Sequence, residues 1–200
     1  MKLAKLKDLR TINNILTGVL VVFGLYIAIY PFIPELTFLV RDDSPETVAP
    51  YTGRLAIRAG SSGSQTPQGN RIVIPSIGVD EPILESSTIS AIDDGGTWRR
   101  PNTSVPVEGS NTVIVGHRWF GNSVSTFYHL DKLDIGEVFA IYWEGQEILY
   151  RIASKGVVDA TEVAIENPTS QPIVTIYTCD PVWSAANRLV ITATPLQGEI

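Results

Sequence analysis

The stretch IVTIYTCDP (residues 173–181), followed after a short loop by NRLVIT (187–192), decides how the rest of the chain is read. β-Branched and aromatic residues crowd both runs, and Asp180-Pro181 closes the first, which marks two strands with a break between them. Strands joined so closely pair as antiparallel neighbours, so the end of one lies beside the start of the next. Cys179 and Arg188 then share one edge of a sheet. Working outward, the same composition recurs in RIVIP (71–75), VIV (113–115), VFAIYW (138–143) and ILYRI (148–152). Two stretches read as helical: residues 87–92, ahead of Gly95-Gly96, and residues 123–133, where Phe127, Leu130 and Leu133 recur every three residues. The outer part of the chain is therefore mostly β with short helices. Six or more strands close into a barrel or pack as a sandwich to remove exposed edges, and this reading leaves the choice open.

Composition narrows the function before any motif is used. Two hundred residues suit one moderate domain plus an appendage. A net charge of −6 gives no basic footprint for nucleic acid. One cysteine makes no intrachain disulfide, and with two histidines it builds no Cys/His zinc constellation. The reading calls for no metal and no cofactor. The apolar excess lies at the N-terminus: ILTGVLVVFGLYIAIYPFI (15–33) carries no charge and has the length of a membrane span. It reads as a retained anchor rather than a cleaved leader, because the small residues that cleavage needs are missing near its end. A buried core helix is the alternative. Lys2, Lys5, Lys7 and Arg10 against Asp8 give residues 1–10 a net +3, which keeps that end cytoplasmic and leaves the remainder, at −9, outside. Pro31 and Pro34 are expected to end the helix, with Tyr26 and Tyr30 at headgroup level. The resulting organisation is a cytoplasmic segment (1–10), a transmembrane anchor (11–34), an extracellular linker (35–70) ending in AGSSGSQTPQGN, and a catalytic domain (71–200).

Three residue types in the outer domain can carry chemistry together. A thiolate at Cys179 is a competent nucleophile toward a carbonyl. His117, just past a strand in TVIVGHR (112–118), can give a leaving amine its proton, and Arg188 can stabilise developing negative charge. Gly116 lets the backbone beside His117 approach a neighbour closely.

These residues also resemble a family. Thr175-Ile176-Tyr177-Thr178-Cys179 resembles the sortase signature T-L-x-T-C with Ile for Leu, and the segment from Asn187 to Ile191 resembles the Arg-bearing strand that follows it. Ile74-Pro75-Ser76-Ile77-Gly78-Val79 with Pro82-Ile83-Leu84 resembles the opening strand pair. The segment from Asn111 to Arg118 resembles the one ending in Gly-His, and FYHLDKL (127–133) with Gly136-Glu137 resembles the helix and turn after it. The resemblance covers about residues 71–194. It implies a closed eight-stranded sortase-type β-barrel and a cysteine transpeptidase that cuts a Leu-Pro-x-Thr-Gly-type motif after threonine, through a thioester. The partners it implies are exported proteins with a C-terminal sorting motif and an amine acceptor, either a cell-wall precursor or a pilin-like lysine. It assigns Cys179 as nucleophile, His117 as general acid/base, Arg188 as oxyanion stabiliser and Thr178 as an aid to substrate positioning. Cys179-Asp180-Pro181 resembles the Cys-x-Pro of the D and E classes. With no Asp-Pro-aromatic lid in the linker and no second membrane segment after Ile200, the pilin-polymerising class is less favoured.

The remaining residues of note have plainer roles. Trp119 and Trp183 follow the histidine and cysteine closely enough to line a substrate groove, whereas Trp98 and Trp143 read as packing. His129 reads as structural. Asp93, Asp94 and Glu108 are either part of a calcium site or solvated turn charges. Asp180 should raise the thiol pKa unless its carboxylate turns away. A thiol hydrolase of the same peptides and a non-catalytic tethered binding module are the competing functions.

Overall fold

The computed structural model describes residues 2–40, 69–106, 108–121 and 123–196. Two compact units emerge, 1–41 and 42–200, and each is taken by itself. In the first, α1 (Lys2–Ile29) is followed by a 3₁₀ turn (Tyr30–Phe32) and α2 (Ile33–Leu39). The segment Leu9–Leu39 is long and apolar enough to cross a bilayer. α1 ends at Ile29, just before Pro31, but separate helical pieces follow it. Pro31 and Pro34 each fall in the first turn of a new helical segment, where the missing N–H has no intrahelical acceptor to lose, so helix resumes through residue 39. Residues 41–68 of the expected linker lie outside the described residues.

In the second unit, ten strands occur among the described residues: β1 (Arg71–Ile74), β2 (Val79–Glu85), β3 (Thr97–Arg99), β4 (Asn111–Val115), β5 (Trp119–Phe120), β6 (Ser123–Val124), β7 (Val138–Trp143), β8 (Gln146–Asp159), β9 (Ile173–Asp180) and β10 (Asn187–Pro195). Eight of them close a barrel in the order β1-β2-β3-β4-β9-β10-β8-β7, and β5 and β6 form a separate hairpin. The barrel is the closed alternative that sequence periodicity left open. Pairing is antiparallel except at β2–β3 and β4–β9.

Both strand faces are buried over much of the barrel, which is why the runs read as continuous apolar stretches rather than strict alternations. Val73, Ala140 and Tyr142 pack on one another, and Ile92, Trp98, Val113, Val115, Tyr177 and Val190 form a second cluster. The stretch expected to be helical at 123–133 instead opens with β6, continues through turns and ends in a 3₁₀ turn at Leu130–Lys132. A spacing of exactly three residues is the 3₁₀ period and not the α period. Phe127, Leu130 and Leu133 are all fully buried on that basis, each contributing roughly 2–3 kcal/mol of apolar burial. Residues 87–92 likewise form a single 3₁₀ turn, Ile89–Ile92.

Candidate active site

Two strand pairings build the site. β9 and β10 run antiparallel with Cys179 directly opposite Arg188, the arrangement that the short loop between the two runs predicts. β4 and β9 run parallel, with Val113 opposite Thr175 and Val115 opposite Tyr177. The ladder ends at that pair, two residues short of His117 on one segment and two short of Cys179 on the other. Side chains alternate along a strand, so Thr175, Tyr177 and Cys179 share one face, as do Arg188 and Val190. Tyr177, Val190, Val113 and Val115 belong to one apolar cluster.

The turn carrying His117 is held rigidly. The Thr178 hydroxyl, buried, donates to the carbonyl of Gly116 at 2.8 Å, and the Gly116 N–H donates to the Tyr177 carbonyl at 3.4 Å. A Cβ on Gly116 would lie 2.5 Å from the Phe127 ring, so only glycine lets the turn lie against that buried aromatic. The Thr178 side chain thus reaches the turn that carries His117, on the strand face opposite Cys179.

The side chains of the three candidate residues differ in their engagement. Cys179 is a half-buried free thiol. Arg188 Nη1 donates to the carbonyls of Ala185 and Asn187 at 3.0 and 2.9 Å, which fixes the guanidinium against the β9–β10 loop. The His117 Nε2 lies 3.1 Å from Asp93 Oδ1, and its ring stacks on Phe120 with centroids 4.5 Å apart. Trp119 and Trp183 meet with ring centroids 4.5 Å apart, which joins the loop after His117 to the loop after Cys179; Trp183 remains 69% exposed.

Sequence reasoning gave no role to Arg118. It is buried and donates to Asp180 Oδ1 through Nη1, to Asp131 Oδ1 through Nη2 at 2.9 Å and to the Tyr128 carbonyl through Nε at 3.2 Å. The residue after the histidine is thus ion-paired to the residue after the cysteine. That contact answers the question of Asp180, whose carboxylate is turned to Arg118 and away from the strand face that carries the sulfur. Complementary charges at 118 and 180 were visible in sequence, but only the parallel register makes them neighbours. Asp93 and Phe120 were likewise not read as partners of His117.

Other expectations resolve as follows. Trp98 and Trp143 are buried, and the Trp98 indole N–H donates to the Ser86 carbonyl at 2.9 Å. His129 packs edge-on against Tyr128. Asp93 is engaged by His117, Glu108 accepts from the Ser104 hydroxyl at 3.3 Å, and among the described residues no group of three His, Cys, Asp or Glu could hold a metal ion. A cavity of about 400 Å³ lies on the imidazole side of the site, lined by Glu81, Asp93, Asp94, Phe120, Tyr128 and His129 among others. Desolvation raises the Glu81 pKa above the ordinary carboxylate value, against the lowering effect of Arg71 and with a smaller raising one from Asp80. Burial and a 2.6 Å hydrogen bond to Glu166 push the Tyr177 phenol up, so it remains a neutral donor.

A closed barrel with a thiol, an imidazole and a guanidinium at one edge defines a scaffold for cysteine-based acyl chemistry. The sortase domain family model matches residues 72–196, and the chain belongs to the sortase family. Among solved structures, sortase C-1 from Actinomyces oris matches at 31% identity and TM-score 0.60, covering 64% of this chain and 73% of that one. Streptococcus agalactiae sortase C1 in complex with MTSET matches at 25% identity and TM-score 0.59, covering 66% and 68%. Sortase A from Corynebacterium diphtheriae, at 22% identity and TM-score 0.60 over 68% and 63%, shares the fold. No match emerged among curated proteins. These structures are named as sortases C and A, so the likeness to classes D and E rests on Cys179-Asp180-Pro181 alone.

Proposed function

We propose that this chain is a membrane-anchored cysteine transpeptidase that cleaves a Leu-Pro-x-Thr-Gly-type sorting motif and transfers the cleaved protein to an amine. Membership of the sortase family supports transpeptidation. The observation that supports the residue assignment is the register that sets Arg188 opposite Cys179, with His117 two residues past the end of β4, the strand parallel to β9. The Cys179 thiolate attacks the carbonyl carbon after threonine, forming a C–S bond. Arg188 stabilises the oxyanion, and His117 protonates the leaving amine as the C–N bond breaks. An acceptor amine then attacks the thioester, yields its proton to His117 and releases the sulfur. The acceptor is a cell-wall precursor or a lysine of another subunit. Trp119 and Trp183 form an aromatic wall for the motif, and Trp183, being exposed, has the larger surface to offer a peptide.

The domain boundaries belong to the same reading: a basic cytoplasmic segment (1–10), an anchor (11–34), a linker (35–70) and the catalytic domain (71–200), with the domain outside the cell. The +3 charge of residues 1–10 supports that orientation. Exported substrates and membrane-bound acceptors would meet the enzyme there.

The test is incubation of the full chain in detergent with a fluorogenic sorting-peptide library, with and without an amine acceptor. Thioester formation on Cys179 and an amine-dependent product are expected. Cys179→Ala should abolish both while the thermal melt stays near wild type, and Arg188→Lys should fail badly because a point charge lacks planar two-donor geometry. Hydrolysis alone, unaltered by the amine, would assign a thiol hydrolase. Wild-type turnover by Cys179→Ala would overturn the mechanism.

A further inference from the structure

Either nitrogen of a neutral imidazole can carry the proton, and the partner that one nitrogen finds decides the form. For His117 that partner is Asp93, with Nε2 3.1 Å from Oδ1. An ionised carboxylate only accepts, so the contact exists when Nε2 bears hydrogen, in the neutral and in the cationic ring alike. Nδ1 has no hydrogen-bond partner among the described residues. The ring is also confined: Phe120 stacks on it with planes 14° apart. Asp93 stands on an anchored turn. It follows the 3₁₀ turn Ile89–Ile92, whose Ile92 is buried in the apolar cluster with Val115 and Tyr177, and its own N–H donates to the Ser90 carbonyl at 3.3 Å.

We infer that Asp93 is a positioning residue for the transfer reaction, holding His117 in its Nε2–H form so that Nδ1 is the nitrogen that gives up and recovers the proton. The inference rests on the acyl-transfer reading above. In the first half-reaction the Cys179 sulfur forms the C–S bond, the scissile C–N bond breaks, and the proton on Nδ1 passes to the leaving nitrogen. In the second, the acceptor nitrogen forms a new C–N bond, the C–S electron pair returns to sulfur, and the acceptor's proton passes to Nδ1. The Nε2 hydrogen stays with Asp93 through both. A fixed ring presents one nitrogen in one direction, which is the orientational part of general acid and base catalysis.

The chain has only two histidines, so ¹⁵N-histidine labelling of the full chain in detergent micelles gives two ring patterns, with His129→Gln assigning the second. Spectra are taken at rising pH until the ring signals stop moving, and the form is read directly there. The wild type should show His117 protonated at Nε2 and bare at Nδ1. Asp93→Ala should give a mixture of forms, and Asp93→Asn should keep the pattern, because its amide oxygen still accepts. On a cleaved sorting peptide, kcat should fall about 100-fold for Ala and about 10-fold for Asn, with KM within about twofold, since the inferred effect acts through the His117 ring. A wild-type ring pattern in Asp93→Ala, wild-type kcat in either variant, or a loss carried by KM alone would overturn the inference. Should Asp93→Ala fail to fold, the kcat and KM of Asp93→Asn decide. Should the wild type cleave no peptide, the transfer reading fails, while the ring patterns, which need no turnover, still decide whether Asp93 holds His117.

Discussion

His117 and Arg118 are consecutive, and each ends on a carboxylate, yet the two pairs differ in kind. The Arg118 side chain is 7% exposed and bridges Asp180 and Asp131, residues from two other parts of the chain. The His117 side chain is 16% exposed and meets a single carboxylate, Asp93, that is itself 40% exposed. A buried guanidinium with two partners fixes architecture, because removing it leaves two carboxylates without their shared cation. A partly exposed imidazole with one partner leaves its Nδ1 without a hydrogen-bond partner among the described residues. One segment of backbone thus carries a structural clamp and a chemical group side by side, and the clamp ties the chain just past His117 to the chain just past Cys179.

The strongest way to break this comparison is Arg118→Ala. It should destabilise the fold by about 3 kcal/mol, because the hydrogen bonds of the buried guanidinium to Asp180, Asp131 and the Tyr128 carbonyl are lost together, as read by chemical denaturation. A change of a few tenths would show that Arg118 is dispensable to the architecture. Gly116→Ala comes next. Its Cβ would collide with Phe127, whose buried ring has little room to yield, and about 2 kcal/mol should be lost along with activity. Asp180→Asn should cost about 1 kcal/mol by weakening the charge-assisted contact with Arg118. Its pH–rate profile should overlay that of the wild type, because the carboxylate faces Arg118. A profile displaced to lower pH would mean that Asp180 acts on the sulfur after all.

The smallest expected effect concerns Glu81, on the wall of the cavity beside His117. Burial raises its folded pKa above the unfolded value, so its favourable contribution is fully present below the unfolded pKa and is lost as pH rises through the folded one. Glu81→Gln should therefore gain stability relative to wild type between pH 4 and pH 7. Parallel denaturation curves at the two values check this, and an equal difference at both would contradict it.

The strands were legible because β-branched runs bounded by turn residues are a local signal. RIVIP, VFAIYW and IVTIY each fall within or at the edge of an observed strand. The short strands β3 and β5 carry too few residues for a period to show. Local order also made the Cys179–Arg188 pairing predictable, since few residues separate the two strands. Arg118 and Asp180, by contrast, are 62 residues apart, and Asp93 and His117 are 24 apart. A charged side chain reads as solvated until a partner is known to face it. What brings Arg118 to Asp180 is the parallel pairing of β4 with β9, a contact that requires a long crossover and leaves no periodic trace in either strand, while Asp93 comes near His117 through the antiparallel pairing of β3 with β4. The sequence by itself therefore determined the strands, the apolar helix and the edge shared by thiol and guanidinium. Closure of the barrel, the clamp at Arg118 and the carboxylate that orients His117 were decided by tertiary structure, because each depends on which distant segments the barrel makes neighbours.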